Sequence, residues 1–372
     1  MSVQTLRKDS NMENENEIKP VYYDGTKLLS MKDINNKTPE IYLSTGNRTS
    51  GKTTYFNRLA MNRFLKQGKK FGLLYRFNYE LDSISDKFFK DIKSLFFQEW
   101  NMVSVSQARG IYHKIYLTKG DIEDKKAERI ECGYAISFNS ADQIKKVSHL
   151  FTDIDALYFD EFQSETDHYC DREVTKFQSV HTSIARGQGK QYRPVPVYMI
   201  ANLVSLINPY YVALGISSRL QKDTKFLRGD GWVLEVNMNE TASLAQQNSA
   251  FNRAFKNDEY NKYAAMNVYL NDNIAFVEKP QGRSRYLITV KYDNTMYAVR
   301  EFTELGIIYV DTKIDTSFKD KITISSNDHE VNYIMLRRND MFRQLMRYYF
   351  MKGCVRFRDL RCKEMFLKLV TL

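Results

Sequence analysis

The sequence predicts an α/β chain: a parallel sheet flanked by helices, then a short linker, then a smaller α+β unit. Three observations carry this. Short apolar runs alternate with helix-period segments through the first half of the chain. A loop bracketed by Gly46 and Gly51 lies between one such run and one such segment. After about residue 238 the pattern changes to a polar, helix-prone stretch, then over 274–313 to strand-like runs punctuated by Gly and Asn, the first beginning at Ile274, and then to helices. Strands alternating with helices favour a parallel sheet, because each crossover must return the chain to the same edge.

Taken in order, the first twenty residues are polar, with too little apolar surface to offset the entropy of ordering, and a disordered arm is expected over 1–20. Ile41-Tyr42-Leu43 reads as a buried strand, and Phe56, Leu59, Ala60 and Phe64 follow at helical spacing. Phe71 to Tyr75 is a second strand, ended by Arg76. Residues 84–100 read as a helix and 110–138 as a hairpin insertion around a charged turn. Ala156-Leu157-Tyr158-Phe159 is a further buried strand, followed at once by Asp160 and Glu161. A helix over 173–186 and a strand from Val195 to Ala201, ending at Asn202, complete a unit spanning 21–237. Residues 238–273 form a helix-prone linker, and 274–372 a C-terminal domain whose last forty residues read as helices.

Composition narrows the function. The chain has 372 residues, 43% of them hydrophobic, with 25 Tyr and 23 Phe, so it can build substantial cores. No run approaches the roughly 18 apolar residues of a membrane span, and no signal-peptide core opens the chain; no membrane partner and a cytoplasmic location are expected. Four scattered cysteines exclude a disulfide framework and a zinc site, and the five histidines show no metal spacing. The net charge is +10, which favours a polyanionic partner. From Val331 to Leu372 ten basic residues face three acidic ones, including Arg337, Arg338, Arg343, Arg347, Lys363 and Lys368; this reads either as a solvated helix face or as a docking surface.

The chemistry centres on Gly46-Asn47-Arg48-Thr49-Ser50-Gly51-Lys52-Thr53, which satisfies G-x-x-x-x-G-K-[ST] in full between a strand and a helix, the P-loop context. The glycines let the backbone N–H groups converge on phosphate oxygens, with the positive end of the helix behind them. All eight residues are therefore candidates for binding ATP: Lys52 reaches the β/γ-phosphates and Thr53 ligates Mg²⁺. Asp160, at the carboxyl edge of a buried strand, is the second Mg²⁺ residue, and Glu161 the carboxylate that deprotonates water. This Asp-Glu arrangement is that of ATPases with an additional strand between the P-loop strand and the metal-binding strand. Asn202 reads as a contact to the terminal phosphate, as a residue that positions the water, or as a strand-terminating turn residue. Arg76 either contacts nucleotide, restrains Glu161, or serves as a surface ion-pair partner. Arg186, in the loop ARGQGKQYR, is the candidate for stabilising charge in a neighbour's site, with Lys190 and Arg193 competing for that role.

These residues resemble a known family, the DNA-packaging motor ATPases of small, short-tailed, protein-primed phages, the phi-29-like group. The resemblance rests on the P-loop followed by NRFLKQGKKF, and on LLYRFNYEL, LYFDEF, ANLVSLINPYY and FMKGCVRF in the same order. It implies a P-loop NTPase domain of the additional-strand type, a linker, and a C-terminal domain like a degenerate RNase H-type nuclease that docks nucleic acid or portal. It implies a homomeric ring, usually a pentamer, that uses ATP to move double-stranded DNA into a preformed capsid. The implied partners are double-stranded DNA, further copies of the chain and the portal, with a structural packaging RNA as a further candidate; the implied place is the host cytoplasm and, transiently, the portal vertex of the procapsid. The resemblance also implies Lys52 and Thr53 as P-loop ligands, Asp160 and Glu161 as metal and water-activating carboxylates, and Arg186 as the trans-acting arginine. The chain departs from the pattern at Asn78, where a Lys is expected, and at Phe162-Gln163-Ser164-Glu165, where a basic run is expected. Two other readings remain: a terminase-like motor with an active nuclease, which needs three clustered carboxylates within 274–330, and a nucleotide-dependent DNA-binding assembly module.

Overall fold

The computed structural model describes residues 21–371 except 123, 125, 167, 188, 205–207, 218, 221–223, 255–275, 338 and 339. The arm expected over 1–20 and much of the linker lie outside the described residues. The helices are α1 (Thr26–Ser30), α2 (Lys52–Gln67), α3 (Lys90–Phe96), α4 (Ala141–Lys146), α5 (Glu173–Ile184), α6 (Pro209–Ala213), α7 (Glu240–Asn248), α8 (Ala250–Ala254), α9 (Met341–Met351) and α10 (Leu360–Thr371).

The first nine strands form one sheet: β1 (Ile41–Gly46), β2 (Lys70–Tyr75), β3 (Asn101–Gln107), β4 (Tyr112–Thr118), β5 (Ile130–Ser137), β6 (Ile154–Asp160), β7 (Val197–Asn202), β8 (Phe226–Gly229) and β9 (Trp232–Asn237). Their order is β3-β4-β5-β2-β6-β7-β1-β9-β8. The stretch from β5 to β9 is parallel, and the outer strands β3, β4 and β8 are antiparallel. The central strands are buried almost end to end, as helices on both faces require. On one face Phe138, Phe159, Phe177 and Tyr210 pack edge-to-face; on the other Phe56, Tyr42 and Tyr158 pack around Tyr198 with their rings tilted against it. Each such ring withdrawn from water contributes about 1.5–3 kcal/mol.

The insertion expected over 110–138 is the β4–β5 hairpin, but it does not stand apart: β5 pairs in parallel with β2 and extends the main sheet. The helix expected over 84–100 is shorter. A widely wound turn, Ser85–Phe89, precedes α3, and the chain leaves the helix after Phe96 to form β3. β7 stands between β1 and β6, so an extra strand separates the P-loop strand from the Asp160 strand.

The second sheet contains β10 (Arg285–Tyr292), β11 (Thr295–Phe302), β12 (Ile307–Asp311), β13 (Lys321–Thr323), β14 (Ile334–Met335) and β15 (Val355–Phe357), in the order β14-β13-β10-β11-β12-β15. β10, β11 and β12 form an antiparallel meander; β13 runs parallel to β10, and β14 to β13. The run beginning at Ile274, expected as a strand, contributes only a single bridge, Val277 to Phe357, among the described residues. α9 and α10 close the core over this sheet around Met346, Phe357 and Phe366, and Lys368 of α10 donates to the Val212 carbonyl of the first unit at 2.7 Å.

The basic C-terminal segment is divided: Arg337, Lys352, Arg358 and Arg361 are exposed, whereas two of its cations face inward. Lys363 is fully buried and Arg343 nearly so. Arg343 and Arg347 both donate to the Val370 carbonyl, at 2.9 and 3.1 Å. Cations are favoured there because the last carbonyls of α10 lack helical partners and carry the negative end of the dipole. Arg343 and Arg347 therefore serve helix packing, and the exposed Arg337, Lys352, Arg358 and Arg361 carry the surface charge of this tail.

Candidate functional site

β1 delivers Gly46 against β9, where a side chain would not fit: a Cβ there would lie 2.0 Å from the Asn237 carbonyl oxygen. The loop then turns through Thr49 at φ 57° and Gly51 at φ 93°, and α2 begins at Lys52. Left-handed backbone at Gly51 costs little only because it lacks a Cβ. Thr49 to Thr53 of the loop, Asp160, Glu161 and Asn202 line one cavity of about 660 Å³ at the carboxyl ends of β6, β7 and β1, where open α/β sheets bind ligands; Gly46, Asn47 and Arg48 lie outside its lining.

Lys52 is buried and folded back on its own loop, donating to the Asn47 carbonyl at 2.8 Å and Ser50 Oγ at 3.0 Å. Burial lowers its pKa to about 8, against the opposing pull of Asp160 and Glu235. Asp160 shows the reverse: burial, then the adjacent Glu161 charge, raises its carboxyl to about 6, despite hydrogen bonds from Thr53 and from the Glu161 N–H at 2.9 Å. The cavity therefore holds a cation and an anion whose charged forms burial disfavours, side by side with the Thr53 hydroxyl.

Glu161 is exposed and has φ 56°, a strained value for a residue with a Cβ. Arg76 holds it there. Arg76 Nη1 donates to the Glu161 carbonyl at 2.6 Å, Nη2 donates to the Phe162 carbonyl, and Nε pairs with both Glu173 oxygens at 3.0 and 3.1 Å. Tyr210 then donates to Glu173 at 2.9 Å. Of the alternatives for Arg76, restraint of the Glu161 turn is the one its partners display; it lies outside the lining of the P-loop cavity and faces a second pocket of about 310 Å³.

Asn47 does not face the cavity as a ligand. Its amide makes a reciprocal pair with Asn239, donating to the Asn239 carbonyl at 2.8 Å and accepting from the Asn239 N–H at 2.9 Å. Arg48 is ion-paired to Glu165, which also accepts from Asn202 Nδ2 at 3.4 Å. The unexpected acidic residue after Asp160-Glu161 thus closes one side of the loop. Arg186 is exposed in a separate shallow pocket with Lys145, Gln178 and Thr182, and the structure does not bring it together with its own P-loop. Arg193 leaves the list of trans-acting candidates: it is buried, donating to the carbonyls of Ile154 and Ile184 at 2.5 and 3.0 Å.

Sequence reasoning missed Glu235, buried on β9 with its carboxylate bound by the Tyr23 hydroxyl at 2.6 Å, and it missed Asn239 and Glu165 as loop anchors. None lies within 100 residues of the loop except by folding. The block ANLVSLINPYY did carry a signal: Asn208 caps α6, Tyr210 reaches Glu173, and Tyr211 donates to Thr45 Oγ1 at 3.1 Å.

The family model described as Podovirus DNA encapsidation protein (Gp16) matches residues 18–371. The DNA packaging protein of Bacillus phage PZA is 26% identical over 343 residues, covering 91% of this chain and 94% of that protein. That of Bacillus phage phi29 is 25% identical over the same length and coverage. In fold, the chain is similar to one in the bacteriophage Phi-29 viral genome packaging motor assembly, with TM-score 0.55 and 22% identity over 94% of this chain and 99% of that one.

Proposed function

The chain belongs to the podovirus DNA encapsidation protein (Gp16) family, and from that premise we propose that it hydrolyses ATP to drive double-stranded DNA into a preformed capsid. It is a DNA-packaging protein; the hydrolytic mechanism, the homomeric ring and the portal contact are the finer reading. The observation that carries it is the convergence of Lys52, Thr53, Asp160 and Glu161 on one cavity at a sheet edge.

Thr53 and Asp160 would hold Mg²⁺, and a carboxylate raised to about 6 by burial fits a cation that restores its lost solvation. The ion supplies charge neutralisation to the terminal phosphates. The chain's own residues do the rest. Lys52 leaves the Asn47 carbonyl and Ser50 for the phosphates. Glu161, on a turn stiffened by Arg76, accepts the proton of the attacking water. Asn202, at the end of β7, is placed to position that water. Arg186, exposed and remote from its own loop, fits a role in a neighbouring subunit's site, with Lys190 on the same tip as the rival. Contacts to DNA are to phosphates, because packaging must tolerate every sequence.

Residues 21–237 serve as the additional-strand ATPase domain, 238–273 as linker, and 274–372 as a vestigial nuclease-like docking domain. The β10–β12 meander with two parallel strands beside it supports an RNase H-like descent. The active-nuclease reading lacks its requirement: among the described residues no group of three or more His, Cys, Asp or Glu could hold a metal. No helix among them is long and apolar enough to cross a membrane.

Steady-state turnover with DNA and procapsids tests the reading. Glu161→Gln should bind ATP as tightly as the unaltered chain and lose at least about a hundredfold in turnover. Mixing Arg186→Ala with Lys52→Ala subunits should restore part of the activity that each lacks alone. Full turnover by Glu161→Gln removes that residue from its role, and absence of rescue assigns Arg186 elsewhere.

A further inference from the structure

We propose that the apolar arm of the P-loop cavity is a nucleobase platform, in which the Tyr22 ring on one side and the Arg58–Phe96 pair on the other take the purine of the bound nucleoside triphosphate by stacking. This rests on the reading that the loop 46–53 binds the phosphates. Tyr22, Leu95 and Phe96 are 73%, 61% and 43% exposed, and all three line the same cavity as Lys52 and Thr53. Single exposed apolar side chains are ordinary; three rimming one cavity beside an anion cradle mark a ligand with a charged end and a flat apolar end.

Tyr22 is exposed without being loose. The Val21 N–H donates to Thr241 Oγ1 at 3.2 Å, and Asn239 Nδ2 donates to the Val21 carbonyl. The Tyr23 N–H donates to the Ser50 carbonyl of the loop itself at 2.9 Å, and the Tyr23 ring packs edge-to-face on Tyr55. With its neighbours on both sides pinned, Tyr22 is held beside Gly51: a Cβ built there would meet the Tyr22 ring at 3.7 Å. In the same lining, the Arg58 guanidinium lies over the Phe96 ring, 4.2 Å from its centre, a cation–π contact already formed. Between them runs the exposed side of α2 at Thr54, Tyr55 and Arg58, continuous with the Lys52–Thr53 end. A triphosphate seated on the loop thereby has an aromatic surface waiting for its base. Stacking accepts any purine, so the platform adds affinity rather than strict base choice.

Calorimetry on the full chain with ATP and with inorganic tripolyphosphate, each with Mg²⁺, tests this in the unaltered protein and in Tyr22→Ala, Tyr22→Phe and Phe96→Ala. Tyr22→Ala should weaken ATP roughly tenfold and leave tripolyphosphate unchanged. Tyr22→Phe should keep ATP affinity, since the ring remains, and Phe96→Ala should weaken ATP alone. Unchanged ATP affinity in Tyr22→Ala overturns the platform. Equal loss of both ligands overturns it too, because that pattern reports a distorted loop. If the unaltered chain binds neither ligand, the phosphate reading itself fails, an outcome distinct from a variant that binds both normally.

Discussion

The two sheets both end strands in aspartates, and they treat them in opposite ways. At the edge of the first sheet, Asp160 accepts from its own neighbour's N–H and from Thr53, faces a cavity, and is left with a carboxyl raised to about 6 by burial and by Glu161. In the second sheet, Asp311 is bound by Arg300 at 3.3 Å and by the Lys313 N–H at 2.8 Å. Asp328, in the turn that follows β13 rather than at a strand end, accepts two backbone N–H groups of the β10–β11 turn, both at 2.9 Å. A carboxylate whose lone pairs are filled by the fold serves the fold; one left under-compensated beside a lysine and a hydroxyl is available for a ligand. The comparison marks the first sheet as the chemical one, although the basic charge is concentrated in the second unit.

The sharpest way to break that comparison is at the supports of the two edges. Arg76→Ala leaves Glu173 buried without its cation and releases the Glu161 turn; about 3–5 kcal/mol of stability should be lost, read by denaturant unfolding. Arg300→Ala, at a more exposed pair, should cost about 1 kcal/mol or less. Equal losses would mean that the first edge is no more pre-organised than the second.

A smaller effect concerns pH. The folded chain holds the Asp160 proton more tightly than the unfolded chain does, since its carboxyl lies near 6 rather than 3.8. The stability this contributes is fully present below the ordinary carboxylate range and is lost as pH rises through about 6. Asp160→Asn should therefore raise the melting temperature of the nucleotide-free chain by a few degrees at pH 7.5 and leave it unchanged near pH 4. Asp328→Asn should lower it at pH 7.5, because two N–H groups lose a charged acceptor. The same sign for both substitutions would erase the distinction between the two edges.

The smallest effect lies in the C-terminal segment. Arg347→Ala should cost about 1 kcal/mol through the lost bond to the Val370 carbonyl. The salt dependence of DNA binding should keep its slope, since that slope counts phosphate contacts. A slope reduced by about one would return Arg347 to the DNA surface.

Local rules account for what was legible. The P-loop could be read from eight contiguous residues because strand, turn and helix must follow one another there for the backbone to curl. Asp160 and Glu161 could be placed because four apolar residues before them mark a strand end. The additional strand between β1 and β6 was legible only through the resemblance of the Asp-Glu pair to known ATPases, since spacing along the chain says nothing of lateral order in a sheet. β3 and β8 escaped because half-buried strands carry a weak period-2 signal and owe their existence to pairing.

By itself the sequence determined the loop, its lysine and threonine, the acidic strand end and the change of character near residue 238. Those are contiguous features, set by the chain's own sterics and periodicity. Only the tertiary structure decided that Arg76 grips the Glu161 turn, that Glu165 holds Arg48, that Asn239 ties down Asn47 and that Arg343 and Lys363 face inward. A buried polar group must find its partner wherever the fold brings one, so its role is fixed by residues far off in the chain and cannot be read from its neighbours in sequence.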